Sequence, residues 1–187
     1  MAKTEMAKTE NYILYSGGAS GAESYFGEKA QEYGIEEVNF TFEGHKINRS
    51  RGVRVLNHEE LQKGDVSLDY VSQIMHREYP DTKLFRKILQ TIWYQINSSR
   101  QIFVVGVLLD DLTVRGGTGW GAEFAKICNK ELYLFDQERN SWFVWSGVSW
   151  ESVSDIKITD IHFCGTGTRL INENAKVAIS ALFKNSF

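Results

Sequence analysis

The stretch from Tyr12 to Glu23, YILYSGGASGAE, decides the fold of this chain. Its first four residues, Tyr12–Tyr15, are apolar and β-prone, which indicates a short strand. Ser16-Gly17-Gly18 then marks a tight turn, and the residues from Ser20 to Tyr33 have helical spacing and stop before a glycine. A strand that passes through a glycine turn into a helix is the building unit of a parallel α/β sheet.

The same alternation continues along the chain. Ile102–Leu109 is the most continuous apolar run, as expected for a central strand buried on both faces, whereas Glu43 to Gly64 is polar and is predicted to be irregular. The other predicted elements are strands at Glu37–Phe42, Glu131–Phe135 and Ile156–Phe163, helices at Asp65–Tyr79, Thr82–Ile96, Thr118–Asn129 and Ile171–Lys184, and a hairpin around Ser146-Gly147. This pattern predicts an α/β fold with a doubly wound, mostly parallel sheet, helices on both faces and a small hairpin, in a single domain over residues 11–187. Residues 1–10, MAKTEMAKTE, repeat five residues and are predicted to be a disordered lead-in.

Composition argues against several functional classes. The chain has 187 residues, of which 42% are apolar and 24% charged, as in ordinary globular proteins. A net charge of −3 argues against a nucleic acid or an anionic membrane as the main partner. No apolar run reaches the roughly 18 residues of a membrane helix. The two cysteines are far apart, which favours a reducing, cytoplasmic location, and the four histidines share no metal-ligand spacing, so we expect neither a metal site nor a cofactor.

Three predicted strand-to-helix junctions contain glycine turns, SGGASGAE at 16–23, GGTGWGAE at 116–123 and GTGTR at 165–169. Glycines let the backbone approach an anion closely, and a helix N-terminus adds partial positive charge, so each turn suits a phosphate. A tight turn that needs a positive φ is the better explanation of a single such turn. Three of them, at the carboxyl ends of strands, favour a shared ligand site. None is a Walker A loop, because no Gly-Lys-Ser/Thr follows.

The candidate ligand residues belong to these turns. Their arginines can fork onto a phosphate or make surface ion pairs, and their hydroxyls can bind a phosphate or cap helices. The tryptophan of the second turn can stack on a base or pack in the core. The set comprises Ser16, Gly17, Gly18, Ser20, Gly21, Glu23, Arg115, Gly116, Gly117, Thr118, Gly119, Trp120, Gly165, Gly167, Thr168 and Arg169.

The three turns together resemble those of a known superfamily. SGGASGAE is similar to the SGGAxGAD turn of the SLOG superfamily, Rossmann-like nucleotide-binding proteins that include DNA-processing protein A and the LONELY GUY phosphoribohydrolases. Residues 115–123, RGGTGWGAE, have the spacing of the LONELY GUY signature PGGxGTxxE, and GTGTR resembles the GxGSR turn that follows the first strand of such domains. Here that turn comes last. The resemblance therefore implies a circularly permuted order, with Ile156–Phe163 inside the sheet next to Tyr12–Tyr15.

The resemblance also implies a reaction. Glu123 falls on the catalytic glutamate of the signature, which implies an enzyme that cleaves an N-glycosidic bond in a nucleotide or ribose phosphate through an oxocarbenium-like transition state. A favourable charge near a helix N-terminus is the alternative role of this carboxylate. The family pairs its glutamate with an arginine on the helix before the central strand. Thr91 occupies that position here, with Arg77, Arg86 and Arg100 as neighbouring candidates.

Two functions remain open at the level of sequence. The first is a hydrolase of the N-glycosidase class with Glu123 as its catalytic carboxylate. The second is a non-catalytic domain that binds or senses a nucleotide-derived ligand, a role also found in the superfamily. A DNA-processing role is disfavoured by the acidic charge balance. The aromatic cluster Trp142, Phe143, Trp145 and Trp150 is either the surface of a homodimer or a hairpin that covers the core.

Overall fold

The computed structural model describes residues 9–187, which form an α/β fold around one sheet of eight strands. The strands are β1 (Ile13–Ser16), β2 (Glu36–Phe42), β3 (Val53–Leu56), β4 (Gln101–Gly106), β5 (Glu131–Asp136), β6 (Ser141–Trp145), β7 (Trp150–Val153) and β8 (His162–Gly167). The helices are α1 (Ala22–Glu32), α2 (His58–Gln62), α3 (Asp65–Met75), α4 (Lys83–Asn97), α5 (Thr118–Ile127) and α6 (Glu173–Ser186). The strand order is β3-β2-β1-β8-β4-β5-β6-β7.

The sheet is mostly parallel, as predicted. The first six strands of that order run parallel to their neighbours. β6 is antiparallel to β5, and β7 is antiparallel to β6. β6 and the edge strand β7 form the predicted hairpin, in which Trp145 faces Trp150 with ring centroids 5.4 Å apart.

Helices cover both faces of the sheet, and successive side chains of β4 belong alternately to the two cores between sheet and helices. Ile102 and Val104 belong to a core that also contains side chains from α3, α4 and α5. Phe103 and Val105 point to the opposite core, which is closed by α1 and α6. Successive side chains of a strand lie on opposite faces, so a continuous apolar run is the expected sequence of a strand buried on both sides.

The segment between β2 and α3 is more regular than the sequence predicts. It contains the edge strand β3, parallel to β2, and the short helix α2. β3 is an edge strand in which Val53 and Val55 are exposed and only Leu56 is buried, so it is too short and too exposed to give a clear strand pattern. Asn57 and Glu60 form a capping box that begins α2.

The predicted C-terminal strand has the right neighbours but the wrong bounds. β8 begins at His162, so Ile156 and Ile158 lie before it; they are buried in the core that α6 closes. Their alternating burial imitates a strand. β8 pairs with β1 and with β4, which confirms the predicted place beside the first strand. Gly165-Thr166-Gly167 therefore belongs to the strand itself and not to a turn after it.

Other bounds differ by a few residues. α3 ends at Met75 rather than Tyr79, because His76 adopts a left-handed conformation with φ 52°. Of the predicted lead-in 1–10, residues 1–8 lie outside the described part of the chain. Thr9 is buried and donates its hydroxyl to the carbonyl of Tyr33 at 2.9 Å, so packed structure begins earlier than predicted. Within residues 9–187, no helix has both the length and the apolar character needed to cross a membrane.

Candidate functional site

A cavity of about 780 Å³ opens at the carboxyl ends of the central strands, where β4 ends at Gly106 and β8 ends at Gly167. All three glycine-containing segments contribute to its wall, as the sequence predicts. The predicted residues that line it are Glu23, Arg115, Gly116, Gly117, Thr118, Gly167, Thr168 and Arg169. Its size is in the range of small-molecule sites.

Glu23 is a buried carboxylate in the wall of this cavity. It is the second residue of α1, and its side chain crosses the end of the sheet toward β8 and α4. Oε1 accepts hydrogen bonds from Thr166 Oγ1 at 3.0 Å and Gln95 Nε2 at 3.2 Å, and Oε2 accepts one from Ala19 N at 3.1 Å. A Cβ at Gly17 would lie 2.7 Å from Oε2, so only glycine leaves room for the carboxylate. Burial raises the pKa of Glu23, although these three hydrogen bonds and Arg169 act in the opposite direction.

The N-terminus of α5 presents unused backbone donors to the same cavity. Within residues 9–187, no group accepts a hydrogen bond from the N–H of Gly116, Gly117 or Thr118. Gly116 has φ 70°, and no side chain caps the helix. Successive free N–H groups at a helix N-terminus favour an anion.

Cationic and imidazole side chains lie at the rim. Arg169 lines the cavity and makes no hydrogen bond or ion pair within the described part of the chain. Arg115 also lines it but pairs with Glu138 at 3.0 Å. His45 stacks on Phe42, and burial together with Arg169 lowers its pKa. Its Nε2 is buried without a hydrogen-bond partner, which leaves one polar atom of the wall unsatisfied.

Half of the predicted ligand residues do not line the cavity, and six of these support its shape. Ser16 donates its hydroxyl to the carbonyl of Gly165 at 2.7 Å, and Gly18 accepts hydrogen bonds from the backbone N–H groups of Asn48 and Arg49. Gly21 allows residues 168–169 to approach closely, and Gly119 does the same for Val114 and Arg77. Gly165 leaves room for the ring of Phe26. Gly17 makes the room for Glu23 described above.

The other two residues of that half do not support the ligand predictions. Ser20 is exposed on the surface and does not line the cavity. Trp120 is 3% exposed and packs against Tyr79 with ring centroids 5.6 Å apart, so it belongs to the core and does not present a ring to a base. The core-packing alternative is the correct one for Trp120.

The predicted catalytic residue, Glu123, does not line the cavity either. It is 6% exposed and pairs with Lys126 at 2.5 Å. The ammonium of Lys126 lies 4.0 Å from the ring centroid of Trp145 on the hairpin. In the structure this carboxylate forms an ion pair within α5, and its partner Lys126 contacts the hairpin.

The arginine expected beside the glutamate is also missing from the cavity. Thr91, at the corresponding position, lines the cavity and is 2% exposed. Arg77 donates to the carbonyls of Val114 and Gly116 and to Thr113 Oγ1, so it holds the turn before α5. Arg86 stacks on Tyr79 at 4.0 Å. Neither of these two arginines, nor Arg100, lines the cavity.

Several lining residues are absent from the predicted set. Thr166 stands between two predicted glycines, and its place inside β8 points its hydroxyl to Glu23. His45 comes from the polar segment after β2, and Phe85 from the first turn of α4. The presence of these residues in the cavity wall depends on how distant segments of the chain pack together. Only the ring of Phe85, beside Gly117, could have been anticipated from the proximity of α4 to the central strand.

No group of three or more metal-ligating side chains occurs in the part of the chain that the structure describes. The cavity therefore offers a buried carboxylate, free backbone donors, an arginine and a largely apolar wall. We compared the chain with protein-family models, curated proteins and solved structures, and nothing matches.

Proposed function

We propose that this protein binds a nucleotide or a ribose phosphate in the cavity at the carboxyl ends of β4 and β8. The observation that carries the proposal is the run of three unused N–H groups, from Gly116 to Thr118, at the N-terminus of α5 in the cavity wall. The helix dipole adds to their attraction for a phosphate. Arg169, which has no other ion pair in the described structure, supplies a positive charge at the same cavity.

Calorimetry with adenosine 5′-monophosphate and with adenosine tests this proposal. Arg169→Ala should weaken binding of the phosphorylated probe by about 1.5–3 kcal/mol, the scale of a hydrogen bond to a charged group, and should change binding of the nucleoside far less. Arg54→Ala is the matched control, because Arg54 pairs with Glu60 on the surface and lies outside the cavity wall. Equal losses for both probes would contradict phosphate binding by Arg169.

Cleavage of an N-glycosidic bond is the second candidate function. In that reaction water adds across the bond between the ribose carbon and the base nitrogen, and the base leaves with a proton. The observation in its favour is the buried carboxylate of Glu23, whose raised pKa suits proton transfer. Glu123, to which the resemblance assigns this role, lies away from the cavity.

Paired variants separate the two glutamates. If the protein is a hydrolase that uses Glu23, Glu23→Gln should lower base release at least about a hundredfold, and Glu123→Gln should retain it. The reverse result would restore the role that the resemblance implies. Wild-type protein that releases no free base from a panel of nucleotides would leave ligand binding as its function.

The strand order also bears on the type of fold. We propose a Rossmann-like, circularly permuted SLOG arrangement, which the position of β8, last in the chain yet between β1 and β4, supports. Cys128 and Cys164 are both free thiols, which supports a cytoplasmic location.

A further inference from the structure

The hydrogen bonds of Glu23 leave one acceptor position open. An ionised carboxylate has about four lone-pair sites. Three are filled: two on Oε1 by Thr166 and Gln95, and one on Oε2 by the N–H of Ala19. Glu23 lines the cavity, and its one unfilled acceptor site is on Oε2. A donor group, O–H or N–H, fits this site, and an anionic group does not.

The open site lies close to the proposed phosphate position. Thr166, which holds Glu23, is on β8, and β8 pairs directly with β4. Thr118 lies beside Gly106 at the end of β4, where a Cβ would be 3.5 Å from Thr118 Cγ2. Thr166 pairs with Val104, two residues before Gly106, so one strand spacing of about 4.8 Å and two residue rises of about 3.3 Å separate Thr166 from Gly106 by roughly 8 Å. The ribose of a 5′-nucleotide adjoins its phosphate and falls within a separation of this order.

We propose that Glu23 Oε2 accepts a hydrogen bond from a ribose hydroxyl and that the cavity thereby selects ribonucleotides over deoxyribonucleotides. This inference rests on the proposed nucleotide binding and deepens it. The ligand lies with its phosphate at Gly116–Thr118 and its sugar at Glu23.

Four probes test the orientation on the wild-type protein: adenosine 5′-monophosphate, its 2′-deoxy and 3′-deoxy analogues, and ribose 5-phosphate. At least one deoxy analogue should bind at least about tenfold more weakly than the ribonucleotide, because it cannot make the hydrogen bond to a charged acceptor. Ribose 5-phosphate should bind, since both recognised groups belong to it. If both deoxy analogues bind as tightly as the ribonucleotide, the inference is wrong and nucleotide binding stands. If none of the four probes binds, both proposals fail.

Variants then assign the selectivity to Glu23. Glu23→Gln should reduce the preference for the ribonucleotide to about twofold or less. Glu123→Gln should keep it, because Glu123 is a glutamate of similar burial on a helix but outside the cavity wall. Gly17→Ala is a second route, because the added methyl group would lie 2.7 Å from Glu23 Oε2 and 2.6 Å from its donor Gln95 Nε2, and would disturb this hydrogen-bonded pair without requiring a positive φ. Preference retained in a folded Glu23→Gln or Gly17→Ala protein, as judged by circular dichroism, would overturn the inference.

Discussion

At the scale of single residues, the burial of Glu23 makes stability depend on pH. Burial raises the pKa of this carboxyl in the folded protein above the ordinary range of glutamate. The folded state therefore binds the proton more tightly than the unfolded chain does, and the free energy of unfolding falls as the pH rises from the ordinary glutamate range through the raised pKa. We expect wild-type protein to lose stability relative to Glu23→Gln across that window, as measured by urea unfolding at several pH values. A difference between the two proteins that does not change with pH would contradict this prediction.

The two glutamates also explain what a motif can and cannot predict. Glu23 and Glu123 both follow Gly-Ala in a glycine turn, so the sequence gives them equivalent positions. α1 begins at Ala22, which makes Glu23 the second residue of its helix and brings it to the cavity. α5 begins at Thr118, which makes Glu123 the sixth residue of its helix and turns it toward Lys126. The start of a helix decides which way a residue points, and the glycine pattern does not fix that start.

At the scale of elements, a buried cluster of ion pairs connects the segment between β2 and β3 to strand β2 of the sheet. The side chain of Glu37 on β2 is fully buried and pairs with Arg49 at 2.6 Å and with Arg51 at 2.9 Å. Arg49→Ala should destabilise the protein by about 3 kcal/mol or more, because it leaves a buried carboxylate short of a partner. Arg54→Ala, on β3, should cost at most about 1 kcal/mol, since its pair with Glu60 is exposed to solvent. Urea unfolding of both variants measures the contrast, and equal losses would show that Glu37 does not need Arg49.

The same cluster shows why some elements escaped prediction. β1, β4 and α5 carry local signals, an apolar run or a glycine turn, and the sequence predicts them to within a few residues. β3 has no such signal. Its place depends on hydrogen bonds to β2 and on ion pairs between residues far apart in the chain, which a local pattern cannot report.

At the scale of the whole molecule, the sequence predicts where the cavity lies better than what lines it. Parallel strands end at one edge of the sheet, so glycine-rich segments predicted at three strand ends are expected to meet there. Arg169, Thr168 and Gly117 are accordingly in the wall. His45 and Phe85 enter it from segments without a glycine motif, because the helices and the connection after β2 close over the strand ends.

The position of β8 leads to a prediction for the whole fold. β8 is the last strand in the chain, yet it pairs with both β1 and β4 and contains Phe163 and Cys164, which are fully buried. Opening β8 would disrupt the centre of the sheet, so its amides should exchange with solvent only in openings close to global unfolding. β7 has a single neighbouring strand and partly exposed side chains, and it can open alone.

We therefore expect amide hydrogens in β8 to exchange at a rate similar to those in β4, and at least about a hundredfold more slowly than those in β7. Hydrogen exchange followed by mass spectrometry on peptides that cover the three strands measures this ordering. α6 provides the internal control, because it follows β8 in the chain and its exposed face should exchange sooner. If β8 instead exchanged as fast as β7 while β4 stayed protected, the C-terminal strand and helix would open as a unit of their own. The sheet would then be held together by β4 and β5 without β8, and the central position of β8 would contribute little to global stability.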